Sequence, residues 1–225
     1  KLVANLKDAF DDHIQALTWM SEPTKKKARE KLAAINVKIG YPDKWKNYSK
    51  LNISKENSYF ENAMNANKFD FADMIKKVDK KADPKEWHMT PQTVNAYYSP
   101  NSNEIVFPAA ILQPPFFFLN GDDAINYGGI GAVIGHEMTH GFDDQGKQYD
   151  KDGNLNNWWT EEDTKKFESK TKVLVDQFNR FELIGEKVNG ELTLGENIAD
   201  LGGITLAHSA LLKALKGQKI EKIDG

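Results

Sequence analysis

The sequence of 225 residues contains no cysteine. Disulfides, thiol catalysis and cysteine-based zinc sites are therefore excluded within this chain, while the redox compartment stays open. Long apolar runs are also missing, because no segment approaches the length of a membrane-spanning helix, and the N-terminus is not a signal peptide. We therefore expect no membrane segment in this chain. Neither end has the pattern of a natural terminus, so we expect a piece of a longer protein.

An excess of positive charge is absent as well. The chain has 30 Lys and Arg residues against 33 Asp and Glu residues, and its net charge is −3. No segment is both basic and aromatic in the manner of a nucleic-acid-binding surface, so nucleic acid is not expected as a partner. A hydrophobic content of 40% is enough for a core, and the length fits one large domain or one domain plus part of another.

Apolar side chains recur at helical spacing through much of the chain. The pattern predicts helices near residues 1–18, 21–35, 53–66, 70–78, 160–181 and 196–215. Residues 94–98 and 105–108 flank a turn-forming segment rich in Ser, Pro and Asn, which predicts a β-hairpin. The sequence therefore predicts a mainly helical fold with a small sheet.

One apolar helical segment contains the pattern His-Glu-x-x-His, as His136, Glu137 and His140. Residues four apart lie about 40° apart on one face of a helix, so the two imidazoles can be directed at one metal ion. Zinc suits two imidazoles plus a carboxylate, and Glu137 beside a zinc-bound water can act as its base. The alternative is a chance pentapeptide on a buried helix.

A catalytic zinc needs a third protein ligand from elsewhere in the chain. The metzincin pattern requires Gly at position 143 and His at 146, but these positions are Asp143 and Gly146. Glu196 and Asp200 lie four apart on a downstream helix, so one can bind the metal while the other accepts the free ring N–H of a ligand histidine. Two exposed acids in a first helical turn are the alternative. His208 is a further candidate for the third ligand, but it lies about 120° around the helix from Glu196 and about three turns further along, so it faces away from the site.

Several sequence blocks occur in an order typical of one protein family. They are NAYY at 95–98, IVFPA at 105–109, ILQPPFF at 111–117, YGGIG at 127–131, IGHEMTHGFDD at 134–144 and GENIAD at 195–200. Residues 18–20 and 36–42 are also similar to segments of that family, in the helical region that precedes its catalytic half. With these blocks, the chain resembles the neprilysin family of zinc metallopeptidases, which includes endothelin-converting enzyme and bacterial PepO-type oligopeptidases.

The resemblance implies a zinc-dependent endopeptidase that hydrolyses internal bonds of oligopeptides on the N-terminal side of hydrophobic residues. One Zn²⁺ per chain would be held by His136, His140 and Glu196. Glu137 would be the general base, and Asp200 would be a second acid, hydrogen-bonded to His136.

For the substrate, the resemblance implies that Asn95 and Ala96 contact the peptide backbone from an edge strand. An edge strand can pair with an extended peptide by β-augmentation, which fits the predicted hairpin. Oligopeptides are thus the expected substrates.

The implied fold is α+β and mainly α: a thermolysin-like (gluzincin) metallopeptidase catalytic domain with a small edge β-sheet, plus part of a helical cap domain. Residues 1–55 would be the end of the cap domain and its linker, and residues 56–225 the catalytic domain, incomplete at its C-terminus. The missing N- and C-terminal portions of the same protein are expected partners, because family members carry a C-terminal histidine and arginine that stabilise the transition state.

Without those groups we expect low activity from residues 1–225 alone, since losing an oxyanion-stabilising donor typically costs about 10²–10³ in rate. A catalytically incomplete peptide-binding fragment is the alternative function. The absence of cysteine predicts a bacterial member, because vertebrate members are usually disulfide-bonded in this region. Its place would be the periplasm or cell surface if a signal lies upstream, and the cytoplasm otherwise.

Overall fold

The computed structural model describes residues 1–216, and helices account for most of their regular secondary structure. The helices are α1 Leu2–Ala16, α2 Glu22–Ala34, α3 Tyr59–Ile75, α4 Asp123–Asn126, α5 Ala132–His140, α6 Glu161–Phe178 and α7 Leu194–Leu215. The strands are β1 Asn36–Gly40, β2 Tyr97–Ser99, β3 Glu104–Pro108, β4 Glu182–Leu183 and β5 Glu186–Lys187. These elements confirm a mainly helical fold with a few small strands.

The chain divides into two compact units. The larger unit combines Lys1–Tyr41 with the chain from Met89 onward, and the smaller unit is Pro42–His88. Neither unit has a boundary at residue 55, where the sequence predicted the change from cap to catalytic domain. The assignment of residues 1–55 to a cap domain stays a prediction.

In the smaller unit, α3 is a single helix instead of the two predicted near 53–66 and 70–78. Its start is fixed by a capping box, in which the Ser58 side chain accepts a hydrogen bond from the Glu61 backbone N–H and the Glu61 carboxylate accepts one from the Ser58 N–H. No proline or glycine interrupts the following residues, so the helix continues unbroken to Ile75.

The larger unit contains a three-stranded sheet with the strand order β1-β3-β2. The predicted hairpin is confirmed, because β2 pairs antiparallel with β3 and places Tyr98 opposite Ile105. β1 joins the other side of β3 in parallel, with Val37 opposite Ile105. β3 is buried along its whole length, and within the described residues β2 pairs with β3 alone. β2 is therefore an edge strand.

Two glycines allow α5 and α7 to pack backbone against backbone. A Cβ atom added at Gly135 would lie 2.8 Å from the carbonyl oxygen of Gly203, and one added at Gly203 would lie 2.5 Å from the carbonyl oxygen of Ala132. Real Cβ atoms do not approach backbone so closely, so a larger residue at either position would force the helices apart. This contact brings the start of α7 beside the two histidines of α5.

The helix α7 corrects the expectation that no segment has the length of a membrane span. Among the described residues it is the one helix long and apolar enough to cross a membrane, with a mean hydropathy of 1.2 over 18 residues. It packs against α5 and α1, and it carries Glu196 and Asp200 near its first turn. The similarity of α7 to a membrane span rests on length and composition alone.

Candidate metal centre

The local structure of α5 directs both histidines toward a cleft. Ile134 and Met138 are buried in the hydrophobic core. Each lies two residues before a histidine, which is about 200° away around the helix. His136 and His140 therefore occupy the opposite face, and their side chains are about one-fifth exposed.

Three ligand-type atoms converge above this face of α5. The Nε2 atoms of His136 and His140 are 2.9 Å apart, and they lie 3.3 and 3.5 Å from the same Oε2 atom of Glu196. Bonds of 2.0–2.1 Å in a tetrahedral zinc site would place neighbouring ligand atoms about 3.3 Å apart. The spacing of the three atoms fits a single metal ion held by all of them.

The other ring nitrogen of each histidine contacts a carboxylate. His136 Nδ1 lies 2.8 Å from Asp200 Oδ1, as the resemblance implied, and His140 Nδ1 lies 2.7 Å from Asp143 Oδ2. If both Nδ1 atoms donate to these acids, both Nε2 atoms present lone pairs to each other across 2.9 Å. Such a contact is repulsive unless a cation lies between them. The donor set therefore suits a metal ion.

Asp143 is a site residue that the sequence interpretation missed. Its Oδ2 atom accepts from His140, while its Oδ1 atom accepts from the backbone N–H groups of Gln145, at 2.9 Å, and Gly146, at 2.6 Å. The side chain is 6% exposed. Its position three residues after a candidate ligand was the available signal, but Asp143 lies past the end of α5, where helical spacing says little about direction.

Glu137 lines the same cleft beside the three converging residues, and it is 6% exposed. Burial raises the pKa of this carboxyl above its ordinary value, although the two histidines and a backbone hydrogen bond from Tyr98 act in the other direction. Burial also lowers the pKa of His140, but its hydrogen bond to Asp143 and nearby negative charges outweigh burial and raise that pKa. The cleft thus combines a buried acid with two basic rings.

The cleft has a volume of about 570 Å³ and extends from the histidines to the segment before β2. Asn95 and Ala96 line it together with Glu137, His136 and Glu196. The two residues lie just before β2, which begins at Tyr97, and not within a strand as expected. The Asn95 side chain is exposed and accepts a hydrogen bond of 2.9 Å from the Ala96 N–H. Asn95 and Ala96 therefore reach the cleft from the end of an edge strand.

Comparison with known proteins relates this arrangement to one family. The family model described as Peptidase family M13 matches residues 95–225, which is more than half of the chain, and a second M13 model matches residues 1–42. The chain belongs to peptidase family M13. This is the neprilysin family, so the resemblance seen in the sequence is confirmed, and members of the family are zinc metallopeptidases.

Individual relatives agree with this assignment. Endothelin-converting enzyme 1 of Rattus norvegicus is 44% identical over 99% of this chain, and Neprilysin-3 of Drosophila melanogaster is 41% identical over 98%. The chain spans only 30% and 29% of the length of these two proteins. The M13 family assignment therefore concerns a segment about one-third as long as its relatives.

Solved structures show the same fold. The zinc metalloprotease ZMP1 of Mycobacterium tuberculosis, in complex with an inhibitor, matches with a TM-score of 0.96 and 48% identity, over 100% of this chain and 35% of that one. PepO from Lactobacillus rhamnosis matches with a TM-score of 0.88 and 37% identity, over 99% of this chain and 34% of that one. The M13 fold thus accounts for nearly every residue of the chain.

Proposed function

We propose that this chain carries the zinc-binding catalytic core of an endopeptidase that cleaves internal bonds of oligopeptides on the N-terminal side of hydrophobic residues. The observation that carries the proposal is the convergence of His136, His140 and Glu196 beside the buried Glu137 in one cleft. Family membership supports the same chemistry.

His136, His140 and Glu196 would hold one zinc ion. Zinc, when bound, supplies a water of lowered pKa and a Lewis acid for the scissile carbonyl. Asp200 and Asp143 would fix the ring tautomers, because an acid that accepts the Nδ1 proton leaves the Nε2 lone pair free for the metal. Both histidines would thus offer Nε2 lone pairs to the metal beside the carboxylate of Glu196.

Glu137 would act as the general base. It lies one residue from His136 on the same cleft, and burial raises its pKa, which makes it a stronger base than an exposed glutamate. The carboxylate would take a proton from the attacking water and later deliver one to the leaving amine. Removing a positioned general base typically costs about 10²–10⁴ in rate.

Asn95, Ala96 and the edge strand β2 would bind the substrate backbone. β2 has one strand neighbour within the described residues, and the segment that precedes it lines the cleft. An extended peptide can add to such an edge through main-chain hydrogen bonds. The peptide would then run past Glu137 and the metal ligands.

The cell compartment and the domain context are part of the same proposal. The absence of cysteine favours a bacterial member, and the similarity to ZMP1 and PepO, both bacterial, supports it. We infer a periplasmic or cell-surface enzyme in which residues 1–55 end a helical cap domain. The remainder of the longer protein would complete the catalytic site.

Zinc content and peptide cleavage test the proposal together. Elemental analysis should find one zinc per chain, and His140→Ala should abolish it. In the longer protein that contains this chain, Glu137→Gln should keep the zinc and lose the ability to cleave an oligopeptide. Retained cleavage in Glu137→Gln would contradict the base assignment, and zinc binding without cleavage in the unaltered longer protein would favour the peptide-binding alternative.

A further inference from the structure

A buried lysine lies behind the metal centre. Lys31 on α2 is 1% exposed, and its Nζ atom donates to the backbone carbonyls of Gly141, Gly146 and Tyr149, each at 2.7 Å. An ammonium group has three N–H donors, so all of them are used. The three acceptors lie at the beginning, middle and end of the segment that follows α5, which we call the 141–149 loop.

The surroundings of Lys31 suit a cation. The rings of Tyr98, Phe142 and Trp158 lie 5.5 to 5.9 Å from Nζ, within the range of cation–π attraction. Burial lowers the pKa of Lys31 to about 8, so the group is still an ammonium with three donors at neutral pH. An apolar side chain of the same size would remove one donor from each of the three carbonyls. The Gly146 carbonyl would keep the Tyr149 N–H and the Tyr149 carbonyl would keep the Trp158 indole N–H, so the loss would be greatest at Gly141.

The 141–149 loop connects Lys31 to a candidate metal ligand. The carbonyl of Gly146 accepts from Lys31, and the N–H of the same residue donates to Asp143 Oδ1 at 2.6 Å. The other oxygen of Asp143 accepts from His140 Nδ1 at 2.7 Å. Three hydrogen bonds and two loop residues, Gly146 and Asp143, therefore connect the ammonium to the imidazole ring.

We propose that Lys31 is a positioning residue of the metal centre: it holds the 141–149 loop so that Asp143 orients His140. Lys31 does not line the cleft, so it acts only through the loop. The proposal rests on the proposed function, because it assigns His140 to a metal ion. By this proposal, α2 helps to hold a candidate metal ligand in place, although it lies over 100 residues before that ligand in the chain.

A double-mutant cycle tests the proposal. The dissociation constant for zinc is measured by competition with a chromophoric chelator for the unaltered protein, Lys31→Met, Asp143→Ala and the double variant. Lys31→Met should weaken zinc binding about tenfold, at the lower end of the 10- to 100-fold typical of residues that orient metal ligands. The double variant should bind no more weakly than Asp143→Ala, because Lys31 acts through Asp143.

A second lysine provides a matched control. Lys7 is partly buried and donates to the carbonyls of Ala33 and Ile35, which lie outside the 141–149 loop. Lys7→Met removes the same kind of interaction and should leave the dissociation constant for zinc within about twofold. An equal loss in Lys7→Met and Lys31→Met would show a general effect of stability and overturn the proposal.

The remaining outcomes separate the two proposals. If the unaltered protein binds no zinc, the proposed function fails. If it binds zinc and Lys31→Met binds equally well, or if the losses in Lys31→Met and Asp143→Ala multiply in the double variant, only the role of Lys31 is overturned. Should far-UV circular dichroism show that Lys31→Met is unfolded, Lys31→Gln replaces it in the cycle, since it keeps two N–H donors, and the same non-additivity is expected.

Discussion

The two candidate metal-binding histidines are supported in different ways. His140 is oriented by Asp143, which is 6% exposed, receives two backbone N–H bonds and follows three residues later in the chain. His136 is oriented by Asp200, which is 79% exposed and lies on another helix. The distances from ring nitrogen to carboxylate are nearly equal, 2.7 and 2.8 Å. The difference lies in what holds each carboxylate in place.

This difference separates a local half of the site from a half that depends on helix packing. The local half, His140 with Asp143, is fixed by the 141–149 loop and Lys31. The cross-helix half, His136 with Asp200 and Glu196, exists only while α7 remains against α5. Solvent screens an exposed ion pair more than a buried one, so the carboxylate of Asp200 should contribute less than that of Asp143.

Moving α7 should produce the largest loss. Gly203→Ala places a methyl group 2.5 Å from the carbonyl oxygen of Ala132, so the helices must separate. We expect a decrease of about 1–3 kcal/mol in the free energy of unfolding. Zinc affinity should fall by more than 100-fold, because moving α7 displaces both Glu196 and Asp200 from the histidines. This loss is larger than the 10- to 100-fold typical of removing one residue that orients a ligand. Urea denaturation and chelator competition measure the two effects.

Gly128→Ala is the control for this prediction, because a Cβ atom at Gly128 would meet no atom within 4 Å. It should leave both zinc binding and unfolding almost unchanged. If Gly203→Ala bound zinc as well as Gly128→Ala, α7 would not position the third ligand.

Removing the buried acid should have the next largest effect. Asp143→Ala frees the His140 ring and leaves the N–H groups of Gln145 and Gly146 without their acceptor. Zinc affinity should fall about 30- to 100-fold, near the upper end for residues that orient a ligand histidine. Chelator competition at neutral pH measures it, and an affinity within threefold of the unaltered protein would contradict the local support of His140.

Removing the exposed acid should have a smaller effect. Asp200→Ala should weaken zinc binding about tenfold. The loss should shrink when salt is raised from about 0.05 to 1 M, because the Debye length falls to about 3 Å at the higher concentration. Chelator competition at both salt concentrations measures the change. A loss larger than that of Asp143→Ala would reverse the proposed order of the two halves.

Removing a buried acid outside the candidate metal site should affect stability alone. Asp163 on α6 accepts from Ser21, Thr24 and Thr160 and is fully buried. Asp163→Ala should lower the free energy of unfolding by roughly 2–4 kcal/mol, since it leaves several donors without an acceptor. The dissociation constant for zinc should stay unchanged in the folded variant, and a tenfold increase would contradict the separation of these roles.

The same residue predicts a pH dependence. Burial opposes ionisation of Asp163, but its hydrogen bonds outweigh burial and lower its pKa to about 2, below the ordinary 3.8. A lowered folded-state pKa stabilises the protein above pH 3.8, and that contribution is lost as the pH falls toward 2. The difference in unfolding free energy between the unaltered protein and Asp163→Ala should therefore shrink over this range.

The sequence predicted best what helical geometry decides locally. Two histidines four apart and two acids four apart must share a helix face, so spacing predicted that the two pairs could meet at one metal ion. Spacing left open which acid pairs with which histidine, and the pairing of His136 with Asp200 was implied by the family resemblance. Lys31 could not be recognised in this way, because its acceptors are backbone carbonyls more than 100 residues away. Contacts to backbone carbonyls leave no pattern in the residue types.

The close packing of the α5 and α7 backbones also could not be predicted from the sequence. Gly135 and Gly203 gave no periodic signal, although their contact brings the candidate third ligand beside the histidines. Asn95 and Ala96 were expected within a strand that begins at residue 94. β2 begins instead at Tyr97, where hydrogen-bonded pairing with β3 starts. The exact end of pairing depends on the partner strand, which local propensity does not describe.

A crystal structure of the zinc-loaded protein tests the central claim most directly. It should show one zinc ion bound by His136 Nε2, His140 Nε2 and a carboxylate oxygen of Glu196, with Asp200 and Asp143 on the Nδ1 atoms. A zinc ion bound by Asp200 or Asp143 in place of Glu196, or one that leaves either histidine unbound, would contradict the account.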